Sequence, residues 1–407
     1  MTVREMNKGK VIPEIRLDNF NEIWMERKFS NIVNKVSKQS NDSNIPKVEF
    51  QDIISGEGRL NKDVSNKFDD RKGTIFQPGF ILYGKLRPYL NNWLYPEFEG
   101  VALGDFWVFE SVDSCSIFNY YLIQSERYQT VANISSGTKM PRSDWKTVAE
   151  TVFLIPNRYE EQQKIGAFFK QLDDIITLQQ QLLDDHKQLK KAMLQKMFPQ
   201  KGKSVPRIRF AGFSDVWKEK KLDEMGAFLR GNNISKNDLI NKGKQKCVLY
   251  GELFTIYKEV IYSVVSYTDK DIENPTIAYE NDILFPTSTT ADALSLINPS
   301  SMKDDNVLIG GDISLFRPKE NIIDSSFLSY AINGPLRNEI SKYAVGTTII
   351  HIYSSELKKV NLYIPSLSEQ EKIGNFFKHL DETIEFYEKK IRTYQELKKA
   401  MLQKMFV

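Results

Sequence analysis

Two rhythms of apolar and polar positions alternate along the chain. After Ile155–Pro156, and again after Ile364–Pro365, apolar positions recur at a period near 3.5. Ile165, Leu172, Gln179, His186 and Met193 share one phase, with Phe168 or Phe169, Ile175 or Ile176, Leu182 or Leu183 and Leu189 between them. Ile373, Leu380, Tyr387, Tyr394 and Met401 take the same phase later, beside Phe376, Phe377, Ile384, Ile391 and Leu397. Such spacing predicts two long helices, each with a coiled-coil seam. The prolines mark where each helix can begin, and Pro199 with Gly202 ends the first. About 38 residues at about 1.5 Å per residue make each helix roughly 55 to 60 Å long, too long to stand alone with its stripe exposed. The expectation is that the two pack on each other, antiparallel about a pseudo-two-fold.

Elsewhere the apolar runs are short, alternating, rich in Ile, Val, Phe and Tyr, and broken by Gly, Pro and Asn. YGELFTIYKEVIYSVVSY reads as strands. FNYYLIQSERYQTVANI and SFLSYAINGPLRNEISKY read as helices, the second bent at Gly334 and Pro335.

The rhythm repeats because the sequence does. Glu160–Phe198 aligns with Ser368–Phe406 without a gap, 21 of the 39 positions being identical, and LKKAMLQKMF occurs in both. Upstream, Ser136–Pro156 matches Val345–Pro365, with nineteen steps from Gly to the final Pro in each. GDFWVF at Gly104 mirrors GDISLF at Gly311, GFILY at Gly79 resembles NDILF, and VIPEIRL approximates VPRIRF. The fold class expected is therefore mixed α/β: two α+β domains in a pseudo-two-fold repeat, with two long antiparallel helices. The bounds are 1–154 for the first mixed domain, 155–203 for the central helix and linker, 204–363 for the second domain and 364–407 for the last helix.

Thr177–Gln188 shares no residue with Glu385–Glu396, whereas both flanks are nearly identical. Equivalent flanks suggest that two copies of one partner protein dock on them. On that hypothesis Phe168, Phe169, Lys190, Met197 and Phe198, and in the repeat Phe376, Phe377, Lys398, Met405 and Phe406, are the partner contacts. The alternative is that the flanks are shared packing against the adjacent mixed domains.

Composition narrows the chemistry. No stretch approaches the roughly 18 uninterrupted apolar residues of a membrane span, and the polar start lacks a leader's apolar core, so a cytoplasmic protein is expected. Cys115 and Cys247 stand in different halves, and His186, His351 and His379 are scattered, so neither a disulfide framework nor a metal site is indicated. Net charge is only +3, but Lys187–Arg209 carries eight Lys or Arg and no acid. GFILYGK begins like a phosphate loop, yet Leu86 stands where Ser or Thr would hold magnesium and Pro88 forbids the following helix. It is assigned a strand running into a turn. No Rossmann fingerprint is present, and NPTI and NPSS lack the second proline and aromatic ring of an adenine methyltransferase motif. No active site emerges.

What the mixed domains offer is surface suited to nucleic acid. GKLRPYLNNW gathers Lys85, Arg87, Tyr89, Asn91 and Asn92 into a turn, cations for phosphate or guanine and amides for adenine. PTSTTADAL in the repeat puts Thr287, Thr289 and Thr290 there instead. Likewise Lys139 and Arg142 of GTKMPR stand opposite Thr347, Thr348 and His351 of GTTIIH. Matched loops with unlike side chains suggest two readers of different sequences.

The duplicated plan, YGKLRPY, the SGT and VGT loops before LIP and YIP, and above all EQQKIGAFF…LDDII and EQEKIGNFF…LDETI followed by LKKAMLQKMF, resemble the DNA-specificity subunit of type I restriction-modification systems. The resemblance spans nearly the whole chain. It implies two target-recognition domains, each reading one half of a bipartite site in double-stranded DNA, with the antiparallel helices acting as a ruler. It also implies two methylation subunits as partners, forming an adenine methyltransferase, and ATP-dependent restriction subunits in the full complex. S-adenosylmethionine, ATP and Mg would then belong to those partners, with no cofactor and no catalysis in this chain. The competing reading is an adaptor that gathers two copies of a partner on a helical hairpin without touching DNA.

Overall fold

The computed structural model describes residues 12–134, 139–200 and 202–407. The chain forms two compact units: one takes the chain up to Gln180 together with Lys389–Val407, and the other is Gln181–Glu388. These divisions fall inside the two long helices, Tyr159–Lys196 and Leu367–Met405, so each unit holds the head of one long helix and the tail of the other.

The two units carry related pairs of sheets that differ at their edges, the first sheet having four strands in one unit and five in the other. In the first, a four-stranded sheet runs Val33–Lys35, Phe106–Ser111, Ile81–Gly84, Trp93–Leu94, and a second runs Gln39–Ser40, Gly73–Phe76, Gly100–Ala102, Lys47–Val48. In the second unit the order is Gly226–Arg230, Ile313–Pro318, Ile283–Pro286, Ser300–Met302, Val260–Ile261, beside Ser266–Thr268, Gln245–Val248, Val307–Ile309, Ile277–Ala278. A parallel pair recurs in each second sheet, Lys47–Val48 on Gly100–Ala102 and Gln245–Val248 on Val307–Ile309. A separate ribbon ties the front of each domain to its exit, Met25 opposite Ile155 and Lys218 opposite Ile364.

Local chemistry decides where helices break. FNYYLIQSERYQTVANI forms two short helices, Ser116–Leu122 and Glu126–Ala132, because Ser125 caps the second by accepting from the Tyr128 N–H. SFLSYAINGPLRNEISKY breaks at Gly334–Pro335 as expected, into Ser325–Asn333 and Arg337–Ile340. YGELFTIYKEV departs from expectation: Glu252–Thr255 is a turn of helix, with Glu252 Oε2 accepting from the Leu249 N–H at 2.7 Å and Leu253 buried beneath it. Only Val260–Ile261 and Ser266–Thr268 of that run are strands.

In each unit a helix tail completes the core. In the first, Met405 and Phe406 are buried among Phe118, Tyr121, Ile165 and Phe169, the Phe406 ring lying 5.3 Å from Phe118 and 5.8 Å from Phe169. In the second, Met197 and Phe198 are buried with Trp217, Phe327 and Phe377, the Phe198 ring stacking on Phe377 at 5.9 Å. Head and tail run antiparallel: Phe169 faces Phe406 while Asp173, one turn on, meets Lys398.

Two polar latches repeat with the same atoms. Asp173 accepts from Tyr121 Oη at 2.9 Å and from Lys398 Nζ at 2.7 Å, with Lys398 5.4 Å above the tyrosine ring. Asp381 accepts from Tyr330 Oη at 2.7 Å and from Lys190 Nζ at 2.6 Å, with Lys190 5.5 Å above that ring. Burial raises the Asp381 carboxyl, Lys190 opposing and Glu259 adding to the rise. Burial favours loss of the Lys190 proton, but the charges of Glu259 and Asp381 outweigh it and raise this amine.

The EQ pair at each helix start has an equally local role. Glu161, buried, takes both oxygens to Arg16 at 2.7 and 2.8 Å, and Glu369 does the same for Arg209 at 2.6 and 2.7 Å. Gln162 accepts from the Cys115 N–H and donates to the Pro156 carbonyl, as Gln370 does with the Asp324 N–H and Pro365 carbonyl. The intervening glycines let the long helix press against the start of a domain helix. A Cβ on Gly166 would stand 2.5 Å from Ile117 Cγ2 and 3.1 Å from its backbone carbon, and one on Gly374 2.9 Å from Asp324 Oδ1. Gly166→Ala is expected to lower the first unit's melting temperature, because overpacking against backbone costs about 1–3 kcal/mol and outweighs the ~1 kcal/mol gained in helix propensity. Calorimetry checks it.

Candidate nucleic-acid interface

The strand Ile81–Gly84 is buried along its whole length, so the chain must leave the sheet immediately after it. Gly84 N–H donates to the Asn92 carbonyl at 2.7 Å, closing the loop at its base. Arg87 at φ 49° and Asn91 at φ 54° bracket the single turn Pro88–Leu90; both occupy the left-handed region, which asparagine tolerates better than arginine. The turn is pushed outward, and Tyr89 is 56% exposed at its tip. Arg87 is exposed and pairs with no acid among the described residues, whereas Asn92 is buried.

A second loop is fastened alongside. Arg87 N–H donates to the Pro141 carbonyl at 2.8 Å, Leu86 bridges Arg142, and Ser143 N–H donates to the Lys85 carbonyl at 2.9 Å. Lys85 and Arg142 converge on Asp105, at 3.6 and 2.8 Å, and the Arg142 hydrogen bond holds that carboxyl below its usual range. Lys139 lies exposed just before this segment. Ser136, Gly137 and Thr138 of the SGT loop lie outside the described residues.

The second unit repeats this joinery with other side chains. Thr287 N–H donates to the Asp312 carbonyl at 2.8 Å, as Lys85 N–H does to the Asp105 carbonyl at 2.9 Å. Ser288–Thr289 then pairs antiparallel with Ile350–His351, Ser288 opposite His351 where Leu86 faces Arg142. Gly346, at φ 125°, allows the tight turn that exposes Thr347 and Thr348; a Cβ there would meet the Ile349 carbonyl oxygen at 2.1 Å. Thr290 is exposed and Thr287 and Thr289 half-buried. His351 lies nearly parallel to Tyr353, their rings 6.3 Å apart. Within each unit, then, the two loops singled out from the sequence are brought side by side at the same points of the same sheet.

Comparison with known proteins fits this doubled arrangement. The type I restriction modification DNA specificity domain model matches twice, over residues 21–186 and 214–396. The chain belongs to that family. A curated relative, the type I restriction enzyme MjaVIII specificity subunit of Methanocaldococcus jannaschii, is 22% identical over 276 residues, 66% of this chain and 64% of the relative's own length. Among solved structures, the type I restriction-modification S subunit of M. genitalium aligns with a TM-score of 0.62 at 15% identity, covering 97% of this chain and 99% of that one. A chain from a structure on complex assembly and conformational transition of the type I R-M system aligns at 0.53 with 16% identity, covering 93% and 96%. At these identities the likeness is one of fold.

Several placements in this specificity-domain chain bear on the residues singled out from the sequence. Of the ten helix-flank residues, Phe169, Met197, Phe198, Phe377, Met405 and Phe406 are buried in the units' own cores, and Lys190 and Lys398 are held in the latches. Phe168 and Phe376 remain half-exposed. Three of the eight cations in the run from Lys187 are paired with acids: Lys187 with Glu388, Lys190 with Asp381 and Glu259, Arg209 with Glu369; Lys201 lies outside the described residues. Tyr353, 57% exposed, and Met140, 47% exposed, sit beside the candidate loops and were passed over. Their signal was a large apolar side chain within an otherwise polar loop. Among the described residues no group of His, Cys, Asp and Glu could hold a metal ion, and no helix is long and apolar enough to cross a membrane.

Proposed function

We propose that this chain is the sequence-reading subunit of a type I restriction-modification complex and recognises a bipartite, asymmetric site in double-stranded DNA. One observation carries the reading: two loop pairs, joined at matching points of matching sheets, present cations and an aromatic in one unit and threonines with a histidine in the other. A shared scaffold with unlike tips suits two half-sites of different sequence. Lys85, Arg87, Tyr89, Asn91, Lys139 and Arg142 would serve one half-site, and Thr287, Thr289, Thr290, Thr347, Thr348 and His351 the other. The long helices would set the number of unread base pairs.

Two methylation subunits, and through them restriction subunits, are the partners of this reading, and they would carry S-adenosylmethionine, ATP and Mg, leaving this chain non-catalytic and cytoplasmic. The burial of most flank residues moves the expected partner contacts toward the half-exposed Phe168 and Phe376 and their outward neighbours.

Binding of the chain, together with its methylation partner, to its duplex is expected to fall steeply with salt, since each neutralised phosphate releases counterions. Arg87→Ala should weaken it by about 1–3 kcal/mol, roughly five- to 150-fold, the loss typical of a base-reading arginine. Fluorescence anisotropy over a salt series measures both. Affinity indifferent to salt and to Arg87 would favour the protein adaptor instead.

A further inference from the structure

The candidate loops of the second unit lack the side chains that name most bases. Pro286–Leu294 and Tyr343–Tyr353 contain no Lys, Arg, Asn or Gln, whereas the matching loops of the first unit carry Lys85, Arg87, Asn91, Lys139 and Arg142. In the major groove, cations are the common bidentate readers of guanine and amides those of adenine, while carboxylates accept from cytosine. The one acid in these two segments, Asp292, is spent on capping its own helix: it accepts from the Ser295 N–H at 2.8 Å and from Ser295 Oγ at 3.0 Å. Hydroxyls, one histidine and apolar groups remain.

The apolar groups are held outward by the backbone. Val345 and His351 exchange backbone hydrogen bonds at 2.8 and 2.7 Å, closing a hairpin whose tip carries Thr347, Thr348 and Ile349. Residues directly opposed in such a pair share a face, and the Tyr353 ring lies nearly parallel to that of His351, so Val345, His351 and Tyr353 stand on one side. Ile350 and Ile352 take the other, Ile352 buried in the unit's core and Ile350 packed against it. With the core already served by those two isoleucines, Val345 is left 54% exposed, Ile349 50% and Tyr353 57%. A hairpin tip ordinarily carries Gly, Asn, Asp or Ser, and apolar side chains gathered on an exposed surface mark a place of contact.

We propose that this hairpin reads thymine through its 5-methyl group, so that the half-site of the second unit is dominated by A·T pairs. Thymine alone among the four bases carries a methyl group into the major groove, and apolar side chains and threonine methyls are the groups that meet it. The threonine hydroxyls and His351 are left for the polar atoms beside it. This inference rests on the DNA reading above and names what one of its two readers selects. An apolar segment of a partner protein is the rival occupant.

The test uses the full chain with its methylation partner and a labelled duplex carrying its methylated motif, read by anisotropy. The half-site of the second unit is the part of that motif which exchange of the first unit's loops leaves unchanged, and A·T pairs should dominate it. Replacing its thymines by deoxyuridine removes only the methyl groups and should weaken binding by about fourfold for each methyl in contact, the scale of one buried carbon. The same replacement in the unread spacer should change nothing. Ile349→Ser should weaken the thymine duplex several-fold, lose most of the preference for thymine over deoxyuridine, and keep the melting temperature of the wild type. A half-site dominated by G·C pairs, a deoxyuridine duplex bound as tightly as the thymine one, or an Ile349→Ser chain that discriminates as well as the wild type overturns the proposal. If binding stays specific for the motif in those cases, the DNA reading stands and the apolar face is assigned to a protein partner. Binding with no sequence preference would remove both.

Discussion

Deleting Leu397–Val407 is expected to unfold the first unit while the second keeps its fold. The segment buries Met405 and Phe406 against Phe118 and Phe169, supplies Lys398 to the Tyr121–Asp173 latch, and offers the Lys404 carbonyl to the Ile15 N–H at 3.1 Å. Truncating one buried phenylalanine costs about 3–5 kcal/mol and one methionine about 2–5, so the loss is on the order of 5–10 kcal/mol, comparable with the whole stability of a domain. Phe406→Ala alone should reproduce a large part of it. Phe198→Ala should do the same to the second unit, where that ring stacks on Phe377 and touches Phe327. Hydrogen exchange resolved along the chain separates the units: the deletion should expose amides of Ser116–Leu122 and Tyr159–Gln180, leaving those of Ser325–Asn333 protected. Uniform loss of protection, or none, would contradict the picture of a tail that completes one unit's core.

The second large effect is expected at Glu161. Its carboxylate is buried and is shared between the Arg16 guanidinium, at 2.7 and 2.8 Å, and the Trp24 indole N–H at 3.1 Å. Glu161→Ala leaves a largely buried cation without its counter-charge and an indole without its acceptor, and breaking such a pair from one side typically costs about 3–5 kcal/mol. Glu161→Gln keeps an acceptor and should cost visibly less. The equivalent change at Glu369 removes the partner of Arg209 only, because the Trp217 indole N–H makes no hydrogen bond in any case. Glu369→Ala is therefore expected to be the milder of the two alanine variants in chemical denaturation.

These predictions mark where reading the sequence succeeds and where it stops. The duplication was legible because Glu160–Phe198 and Ser368–Phe406 align without a gap, and the long helices because a seven-residue apolar period has few other interpretations. The candidate loops were legible as pairs, since GDFWVF and GDISLF and the final IP fix the frame on either side. The meaning of LKKAMLQKMF was not. Identity between two helix tails says that their surroundings are alike, but a partner and the chain's own core leave the same mark on a sequence. Only the packing of Phe406 on Phe169 and of Phe198 on Phe377 distinguishes them. The Arg16–Glu161 clamp joins residues 145 apart, beyond any local period. The turn of helix at Glu252 escaped because alternation cannot reveal that an acidic side chain will cap the backbone just before it.

The central claim is that this chain reads DNA through two dissimilar loop pairs on a shared scaffold. The most direct measurement is sequencing of methylated adenines in cells that carry the chain with its methylation partner, before and after Lys85–Asn92 and Lys139–Arg142 are exchanged together for those of another specificity subunit. The account predicts a two-part methylated motif in which the exchange rewrites one part and leaves the other part and the spacing between them unchanged. A motif unaffected by the exchange, or one altered in both parts, would contradict it.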